Sequence, residues 1–452
     1  MGTMPYLSGT CIIHYFYRSL YEGKTGMLKE YIDIGYIPEE TDLVCEYQLE
    51  TASGISFEEA CSHLAGECSF GIWNDISLLS PKMAEKLKPH VFYIDKKKHT
   101  VRISYPQDLF EFCSVAQIII TVAGRMLDHK MMSRLKLHDI TFPTDPLSEL
   151  WGPKYGMGGI RELTGVYDRP LVSATVKPKV GLDPATHAKV AYNSFVGGCD
   201  LVKDDENLTD QKFNRFEKRA ELTFKARDDA EEETGERRMY MCNITAPTCE
   251  EIIRRANFIS NIGGHYVMID TVPTGWSSLQ TLRDVTEELG LVIHAHIMGH
   301  TAFTRQEEHR ISLYLMTKLA RLVGLDQLHI GTIDNRFHEN TKELMALYDC
   351  CIMDRSKGNE KMHILPQNWD GIKAMFPVVS AGSGVSSIPE LMNIFGKDVI
   401  MDCSIGMHSH PMGTSAGAKA CRQAIDATLS GISLEEYGKN HAELQTALKN
   451  GI

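Results

Sequence analysis

The apolar positions of this chain follow two patterns, and the change between them comes near residue 165. Beyond it, short runs rich in β-branched residues alternate with amphipathic stretches of helical length. The runs show little polar alternation, which is typical of parallel strands buried on both faces. The predicted strands are 171–177, 199–204, 239–244, 266–270, 291–296, 327–332, 377–380 and 398–402. The predicted helices are 184–195, 210–233, 249–262, 278–289, 310–322, 340–349, 388–394 and 416–429. Eight β/α units predict an α/β protein with a closed (β/α)₈ TIM barrel.

The first 145 residues do not continue this rhythm. Extended and helical runs are mixed there, at 42–47, 56–68, 91–95, 99–104 and 115–127. The mixture predicts a smaller α+β domain of the ferredoxin-like kind, with antiparallel strands. Prolines punctuate the chain where the rhythm changes, at Pro143, Pro146 and Pro153. We therefore expect an amino-terminal domain at 1–145 and the barrel at 146–452.

The composition is that of a folded globular protein with no affinity for polyanions. The formal net charge is −12, which repels phosphodiester backbones and anionic lipid surfaces. Neither nucleic acid nor a membrane is therefore an expected partner. No apolar run approaches the ~20 residues that span a bilayer, and no secretory signal is recognisable. We expect a cytoplasmic protein whose 12 cysteines, which form no CxxC pair, are mostly reduced thiols.

Ionisable residues gather at the carboxyl ends of the predicted strands, where a barrel of this kind builds its active site. The candidates are Lys177, Lys179, Lys203, Asp205, Glu206, His294, His296, His329 and Ser380. Each signal is weak by itself, because lysines at strand ends are more often surface residues and a single histidine is more often a satisfied core donor. Their coincidence at the strand ends of one barrel favours a functional site.

The densest of these clusters is Lys203-Asp204-Asp205-Glu206, at the end of the second predicted strand. Three consecutive carboxylates supply the hard oxygen ligands that Mg²⁺ prefers. The lysine beside them is a candidate base, an ion-pair partner or, after carbamylation by CO₂, a further oxygen ligand. The alternative is a solvated charge run that opens a helix, which the helix dipole favours.

These residues resemble the large subunit of RuBisCO, above all its archaeal form III, over nearly the whole chain. Residues 175–179 (TVKPK) resemble the first barrel strand of that family, and 197–207 resemble its metal site. The resemblance implies that Lys203 carries a CO₂-derived carbamate and binds Mg²⁺ together with Asp205 and Glu206. It also implies that Lys177 transfers a proton. Further matches are 294–296, 329–332, Ser380 and 410–411.

The amino-terminal part matches the same family. Residues 66–69 and Trp73 resemble the segment that a partner subunit lends to the active site. The resemblance therefore implies a homodimer, or a multiple of dimers, whose active sites are shared between subunits.

Several substrate-binding positions depart from the family pattern. Ile297 replaces an arginine that binds one phosphate, and Arg336 replaces the loop lysine that stabilises the carboxylated intermediate. Arginine keeps the charge of lysine but not its shape. Residues 403–406 (CSIG) stand where a glycine run approaches the other phosphate, so that approach is expected to be hindered. Ile72 and Arg125 replace a threonine and an asparagine in the segment lent by the partner.

The altered positions concern phosphate binding and carboxylation, whereas the metal and enolisation groups are retained. We therefore predict a RuBisCO-like protein of form IV, which enolises or isomerises a phosphorylated ketose, for example of the methylthioribulose-phosphate type, without fixing CO₂. The predicted catalytic residues are Lys177, Lys203, His296 and Arg336, and the predicted substrate-binding residues are Trp73, Arg125, Lys179, His294, His329 and Ser380. Two alternatives stay open: a genuine ribulose-1,5-bisphosphate carboxylase with rearranged phosphate contacts, and a non-catalytic binding protein.

Overall fold

The computed structural model describes residues 31–71, 78–144, 150, 152–333, 341–382 and 384–452. Three residues of the sequence prediction lie outside the described residues: Ile72, Trp73 and Arg336. The chain divides into two compact units. The first comprises Met1–Pro146, Phe303–Ser312 and Lys357–Gln367, and the second comprises Leu147–Ala302, Leu313–Ser356 and Asn368–Ile452.

Strands and helices alternate along most of the described chain. The strands are β1 (Leu43–Thr51), β2 (His90–Asp95), β3 (Thr100–Tyr105), β4 (Met132–Thr141), β5 (Leu171–Thr175), β6 (Leu201–Lys203), β7 (Met239–Asn243), β8 (Tyr266–Asp270), β9 (Val292–His296), β10 (His309–Ile311), β11 (Gln327–Thr332), β12 (Arg355–Ser356), β13 (Gln367–Asn368), β14 (Phe376–Ser380) and β15 (Ile400–Asp402). The helices are α1 (Phe57–Glu67), α2 (Pro81–Lys86), α3 (Val115–Ile119), α4 (Gly156–Thr164), α5 (Pro184–Val196), α6 (Phe216–Thr234), α7 (Cys249–Asn261), α8 (Thr271–Thr274), α9 (Trp276–Leu289), α10 (Thr301–Thr304), α11 (Leu313–Val323), α12 (Thr341–Ile352), α13 (Ile388–Phe395), α14 (Ser404–His408), α15 (Thr414–Leu429), α16 (Leu434–Gly438) and α17 (Ala442–Lys449). No helix in the described part of the chain is long and apolar enough to cross a membrane.

The first unit is built on a five-stranded sheet with the strand order β10-β4-β1-β3-β2. β1 pairs antiparallel with β3 and with β4, and its alternate residues Cys45, Tyr47 and Leu49 are fully buried. The helix α1 begins after Ser56, whose hydroxyl oxygen accepts a hydrogen bond from the backbone N–H of Glu59 at 3.2 Å. The predicted amino-terminal α+β domain is therefore confirmed.

Two predicted helices differ from the structure. The prediction 310–322 was wrong at its start, because residues 309–311 form β10 and pair parallel with β4, and the helix α11 begins only at Leu313. The prediction 115–127 is a composite, since α3 ends at Ile119 and is followed by a π-helical turn, Ile120–Gly124, and a 3₁₀ turn, Arg125–Asp128.

In the second unit eight parallel strands close into a barrel, in the order β5-β6-β7-β8-β9-β11-β14-β15. This order follows the chain, and helices lie between consecutive strands, as the predicted (β/α)₈ fold requires. The eight-stranded barrel is confirmed. β12 and β13 pair in a separate two-stranded sheet that the sequence did not predict.

The interior of the barrel changes from apolar to polar along the strands. Its amino-terminal end is filled by side chains including Leu171, Leu201, Met239, Tyr266, Val292, Phe376 and Ile400. Because successive side chains of a strand point to opposite faces, the residues two and four positions further on face the same interior. Some of those residues, Met241, Met268 and Val378, extend the apolar layer, whereas the ones nearest the carboxyl ends are polar: Lys203, Asn243, Asp270, His294, His296, Ser380 and Asp402. The alternation of each strand thus delivers ionisable groups to the carboxyl end of the barrel.

Candidate active site

The strand register brings these polar residues together in pairs. Asp270 at the end of β8 is the register neighbour of His296 at the end of β9, and Ser380 is the neighbour of Asp402. The sequence predicted His296 and Ser380 but missed Asp270 and Asp402. Both missed residues stand two positions after a buried apolar residue of the same strand, and that spacing was the signal that could have found them.

Lys203, the last residue of β6, is a buried cation. Its side chain is 2 % exposed, and its Nζ donates one long hydrogen bond, of 3.4 Å, to the carbonyl oxygen of Asp204. No carboxylate oxygen of the described residues lies within 4.0 Å of this nitrogen. Burying an ammonium group without a close counter-ion is unfavourable by several kcal/mol, on the order expected for a desolvated ion. An added negative charge at Lys203 would relieve that cost.

Asp205 is held by an ion pair with Lys177. Lys177 Nζ donates to Asp205 Oδ2 at 2.6 Å, and both the backbone N–H and the side-chain amide of Asn207 donate to Oδ1, at 3.0 and 2.8 Å. Burial by itself would raise the pKa of Asp205, but the hydrogen bonds from Lys177 and Asn207 outweigh it, so the pKa is lowered. Asp205 is therefore an anion at neutral pH, and it stands two residues after the buried Lys203.

Asp204, between these two residues, is turned away from the site. Arg219 Nε donates to its Oδ2 at 3.0 Å, the backbone N–H of Asn243 donates to the same oxygen at 2.9 Å, and the Tyr240 hydroxyl donates to Oδ1. Burial would raise the pKa of Asp204, but the charge of Arg219 and further hydrogen bonds lower it far below its usual range. The first of the three consecutive carboxylates is thus a structural anion, which leaves Asp205 and Glu206, the two that the family resemblance assigns, as the carboxylates of this cluster that can supply metal ligands.

Two buried histidines line the mouth of the barrel. Burial lowers the pKa of His294 to about 3, and the charge of Lys203 adds to the effect. Burial also lowers the pKa of His296 well below its usual value. His294 Nδ1 lies 2.9 Å from Gln327 Oε1, which assigns the proton to Nδ1 and leaves the Nε2 lone pair without a hydrogen-bond partner among the described residues. Both imidazoles are neutral at neutral pH.

Asp270 is the carboxylate nearest to His296. Its Oδ1 lies 3.7 Å from His296 Nδ1, and Glu206 Oε2 lies 4.0 Å from His296 Nε2. Burial raises the pKa of Asp270 to about 6, although hydrogen bonds from Thr245 and Asn243 act in the other direction. Glu206 and Asp270 therefore lie on two sides of one imidazole ring.

The residues at the end of β15 are held together by hydrogen bonds among Asp402, Ser404 and Thr175. The backbone N–H of Ser404 donates to Asp402 Oδ1 at 3.0 Å, and the Ser404 hydroxyl donates to the same oxygen. Thr175 adds two bonds, from its N–H to Ser404 Oγ at 2.7 Å and from its hydroxyl to Asp402 Oδ2 at 3.1 Å. Burial alone would raise the pKa of Asp402, but the charge of Lys203 and the bonds from Ser404 lower it. The backbone N–H of Ser404 is thus already hydrogen-bonded to a carboxylate of the protein, that of Asp402.

The remaining predicted residues are spread over both units. His329 Nε2 lies 3.2 Å from Ser380 Oγ, which joins these two residues at neighbouring strands. Lys179 is exposed, in a bend beyond β5. Ile297, directly after β9, is buried and offers no side-chain donor. Arg125 belongs to the first unit, where its side chain is 81 % exposed and its Nε lies 3.6 Å from Glu67 Oε2.

The donor set at the mouth fits Mg²⁺ only if Lys203 takes part. Among the described residues no group of three His, Cys, Asp or Glu side chains is arranged to hold a metal ion. Asp205 and Glu206 supply carboxylate oxygens, and the buried Lys203 amine, which has no close counter-ion in the described part of the chain, precedes them at the end of β6. A carbamate on that amine would add the hard oxygen ligand that the two carboxylates lack.

Comparison with known proteins identifies the family. The ribulose bisphosphate carboxylase large-chain models match residues 30–145 with the N-terminal domain and 156–450 with the catalytic domain. A protein named ribulose bisphosphate carboxylase from Methanosarcina mazei is 57% identical over 422 residues, which are 93% of this chain and 99% of the relative. Its namesake from Pyrococcus furiosus is 41% identical over 421 residues, 93% of this chain and 96% of the relative.

Solved structures agree with the sequence relatives. The dimeric archaeal Rubisco from Hyperthermus butylicus superposes with a TM-score of 0.89 at 38% identity, covering 93% of this chain and 98% of the other. The octameric enzyme from Pyrococcus horikoshii gives 0.87 at 39% identity, with 94% and 99% covered. The resemblance suggested by the sequence is therefore confirmed: this chain belongs to the RuBisCO large-chain family and is close to its archaeal form III members.

Proposed function

We propose that this chain carboxylates ribulose 1,5-bisphosphate in a Mg²⁺-dependent reaction. The observation that carries the proposal is the buried Lys203, which has no close counter-ion among the described residues, beside the Lys177–Asp205 pair at the mouth of the barrel. Relatives 41% to 57% identical bear the name ribulose bisphosphate carboxylase, which supports the same activity. The sequence alone favoured a form IV protein that does not fix CO₂; similarity of this degree to carboxylases favours the alternative instead.

In this proposal Lys203, Asp205 and Glu206 hold Mg²⁺. On carbamylation the Lys203 ammonium group would lose two protons as its nitrogen bonds CO₂, and the resulting anion would be neutralised by the metal ion that it helps to hold. Bound there, the ion would supply a Lewis acid that polarises a substrate carbonyl. Loss of the positive charge would also remove one of the causes that hold the pKa values of His294 and His296 low.

The side chains around this donor set bind the substrate and move protons. Lys177 is an ammonium group at the mouth, 36 % exposed and bound to Asp205, and it is placed to return a proton to an enolised substrate. Neutral His294 and His296 offer ring nitrogens to substrate oxygens. Ser380, bound to His329, offers its hydroxyl from β14, which is two strands away from β9 in the barrel.

Enolisation without CO₂ fixation is the second candidate, and specific observations favour it. Asp402 occupies the backbone amide of Ser404, so a phosphate that used this amide would have to displace a buried carboxylate. Ile297 offers no donor to a phosphate at the end of β9. Losing a charge-assisted phosphate contact costs about 1.5–3 kcal/mol when nothing replaces it. Both candidates share the proton-abstraction step and the same metal ligands.

One incubation separates the two candidates. The protein is mixed with ribulose 1,5-bisphosphate, Mg²⁺ and labelled bicarbonate in D₂O, and label in phosphoglycerate is read together with deuterium at C3 of the substrate. We expect labelled phosphoglycerate. Deuterium exchange without label would contradict carboxylation and support the second candidate, and the absence of both signals would contradict both. Lys203→Met should abolish every signal, whereas Lys189→Met, at an exposed position of α5, should change none.

We also propose that the chain acts as a homodimer or a multiple of dimers. Its structural relatives are described as a dimer and as an octamer. The expected contribution of Trp73 to a partner's site supports the same assembly. Light scattering behind a sizing column tests it, and a monomer that fixes CO₂ would contradict it.

A further inference from the structure

A second polar pocket lies at the amino-terminal end of the barrel strands. It has a volume of about 250 Å³, and its lining includes Gly198, Glu236, Arg238 and Arg422. Gly198 precedes β6 and Arg238 precedes β7, whereas the candidate active site is at the carboxyl ends of the strands. We call it the arginine pocket; it shares no residue with the site described above.

The pocket surrounds a cluster of charged side chains. Arg169 pairs with the buried Asp200 through two bonds, of 2.6 and 2.7 Å. Arg238 pairs with Glu236 at 2.7 Å, and Arg422 lies 3.5 Å from the same carboxylate. Both of these arginines lie 3.8 Å from Asp200 through their Nη1 atoms. Three guanidinium groups therefore lie within 4.0 Å of two carboxylates, and a third carboxylate, that of Glu231, accepts a hydrogen bond from the backbone N–H of Arg238 at 2.6 Å.

Some N–H donors of these guanidinium groups lack a hydrogen-bond partner among the described residues. Nε and Nη1 of Arg238 and Nε of Arg422 are buried and make no hydrogen bond to any described residue. Arg238 is 2 % exposed, so its free donors are not solvated by bulk water. Buried N–H groups are almost always paired in folded proteins, and charged ones most of all. An anion that takes the place of the Glu236 carboxylate would reach the guanidinium groups of Arg238 and Arg422.

We propose that the arginine pocket binds a phosphate group, either as inorganic phosphate or as the phosphate of a small ester. Guanidinium forks match tetrahedral oxyanions through paired N–H donors. The volume lies below the ~300 Å³ at which pockets for drug-sized ligands begin, so the occupant is small. Glu236, whose side chain is 49 % exposed, competes for the same donors and swings toward solvent when phosphate enters.

The location separates this site from the reaction. Gly198 comes just before β6, and Lys203 is the last residue of that three-residue strand, so the two sites lie at its opposite ends. Phosphate in the arginine pocket therefore leaves the mouth of the barrel open. The inference is independent of the proposed activity, because it uses none of the residues assigned to that activity.

Titration with inorganic phosphate tests the proposal. Calorimetry on the intact protein gives the dissociation constant, and thermal melting gives the rise in melting temperature that binding to the folded state produces. Glu236→Gln removes the internal competitor and should tighten binding about fivefold or more. Arg422→Gln removes a donor and should weaken binding about tenfold. Arg254→Gln removes an equal charge at an exposed position of α7 and should leave binding unchanged.

Each outcome bears on the proposal. Glycerol 3-phosphate serves as a second probe: tighter binding than inorganic phosphate assigns the pocket to a phosphate ester, and weaker binding assigns it to the free ion. Equal affinities in wild type, Glu236→Gln and Arg422→Gln would place the bound phosphate elsewhere and overturn the proposal, and so would the absence of binding to the wild type. The phosphate titration does not depend on the proposed activity: if the protein proved not to be a carboxylase, the predicted affinities would stay the same. A carboxylation assay of Glu236→Gln is therefore reported separately from the titration.

Discussion

Replacing Lys203 by methionine should make the unliganded protein more stable. The change keeps an unbranched side chain of similar length and removes a buried ammonium group whose only hydrogen bond to a described residue is 3.4 Å long. A desolvated ion carries a penalty of several kcal/mol, which an apolar side chain of similar length does not have. Asp270 and Asp402 lose an attractive charge in the variant, which offsets part of the gain. We therefore expect a net increase of about 1–2 kcal/mol in the free energy of unfolding.

The same variant should lose its response to the proposed ligands. In the wild type, Mg²⁺ with bicarbonate binds only the folded state and stabilises it by about 2.7 kcal/mol at a hundred times the dissociation constant. Lys203→Met has no amine to carbamylate, so Mg²⁺ with bicarbonate should not shift its unfolding. The order of stabilities thus reverses: the variant is more stable in EDTA, and the wild type is more stable with the ligands.

Urea unfolding followed by circular dichroism, in EDTA and again in Mg²⁺ with bicarbonate, measures both effects. Lys189→Met serves as the control, because it removes an exposed lysine of α5 and should follow the wild type in both buffers. A variant less stable than the wild type in EDTA would show that Lys203 is stabilised by its surroundings and refute the reasoning. A ligand-induced shift that persists in Lys203→Met would refute its role in binding the metal.

Three further outcomes follow from individual contacts. Lys177→Met should lower turnover about 10²- to 10⁴-fold, as expected for a lost proton donor, and steady-state kinetics beside melting curves should show that stabilisation by Mg²⁺ with bicarbonate is kept. Arg219→Met leaves Asp204 buried without its cation and should cost about 3–5 kcal/mol in urea unfolding; a loss below about 1 kcal/mol would contradict the assigned ion pair. Burial lowers the pKa of His138 in the first unit to about 3, below the ~6.5 of an unfolded chain. Its contribution is therefore fully present above pH ~6.5 and is lost as the pH falls toward 3. Unfolding at pH 7.5 and 5.0 should show this loss, and His138→Gln should reduce it; equal pH slopes in both proteins would contradict it.

The sequence was sufficient to predict the barrel, because strands that are buried on both faces appear in the sequence as short, continuous apolar runs. Each barrel strand is a short apolar run, and each is followed by a segment of helical length, so the period of the pattern reveals the unit. The strand β10 has no such apolar run in its sequence. Its residues, His309–Ile311, are only partly buried and pair with β4, which lies more than 160 residues earlier in the chain. A pairing of that kind depends on a distant partner, and local periodicity contains no information about it.

Within the site, the sequence named Lys203 and Asp205 from their residue types and their place at a strand end. The family resemblance left Asp204 out of the ligand set, but residue type by itself gave no reason for this, because the three carboxyl groups are chemically alike in the sequence. The tertiary structure decides between them: alternation turns Asp204 outward, where Arg219 on α6 and Tyr240 on β7 bind it. Both oxygens of this carboxylate already accept hydrogen bonds, so its neighbours, and not its residue type, make it unavailable to a metal ion.

Asp402 shows the same division at the loop after β15. The sequence by itself determined that residues 403–406 lack the expected glycine run, and hence that phosphate contacts there would be altered. Only the tertiary structure decided what replaced them, because the carboxylate of Asp402 meets the amide of Ser404 and the hydroxyl of Thr175 from a different strand. Residue type and periodicity determine which face of an element a group occupies, whereas its charge state and its availability to a ligand depend on groups that only folding brings within hydrogen-bonding distance.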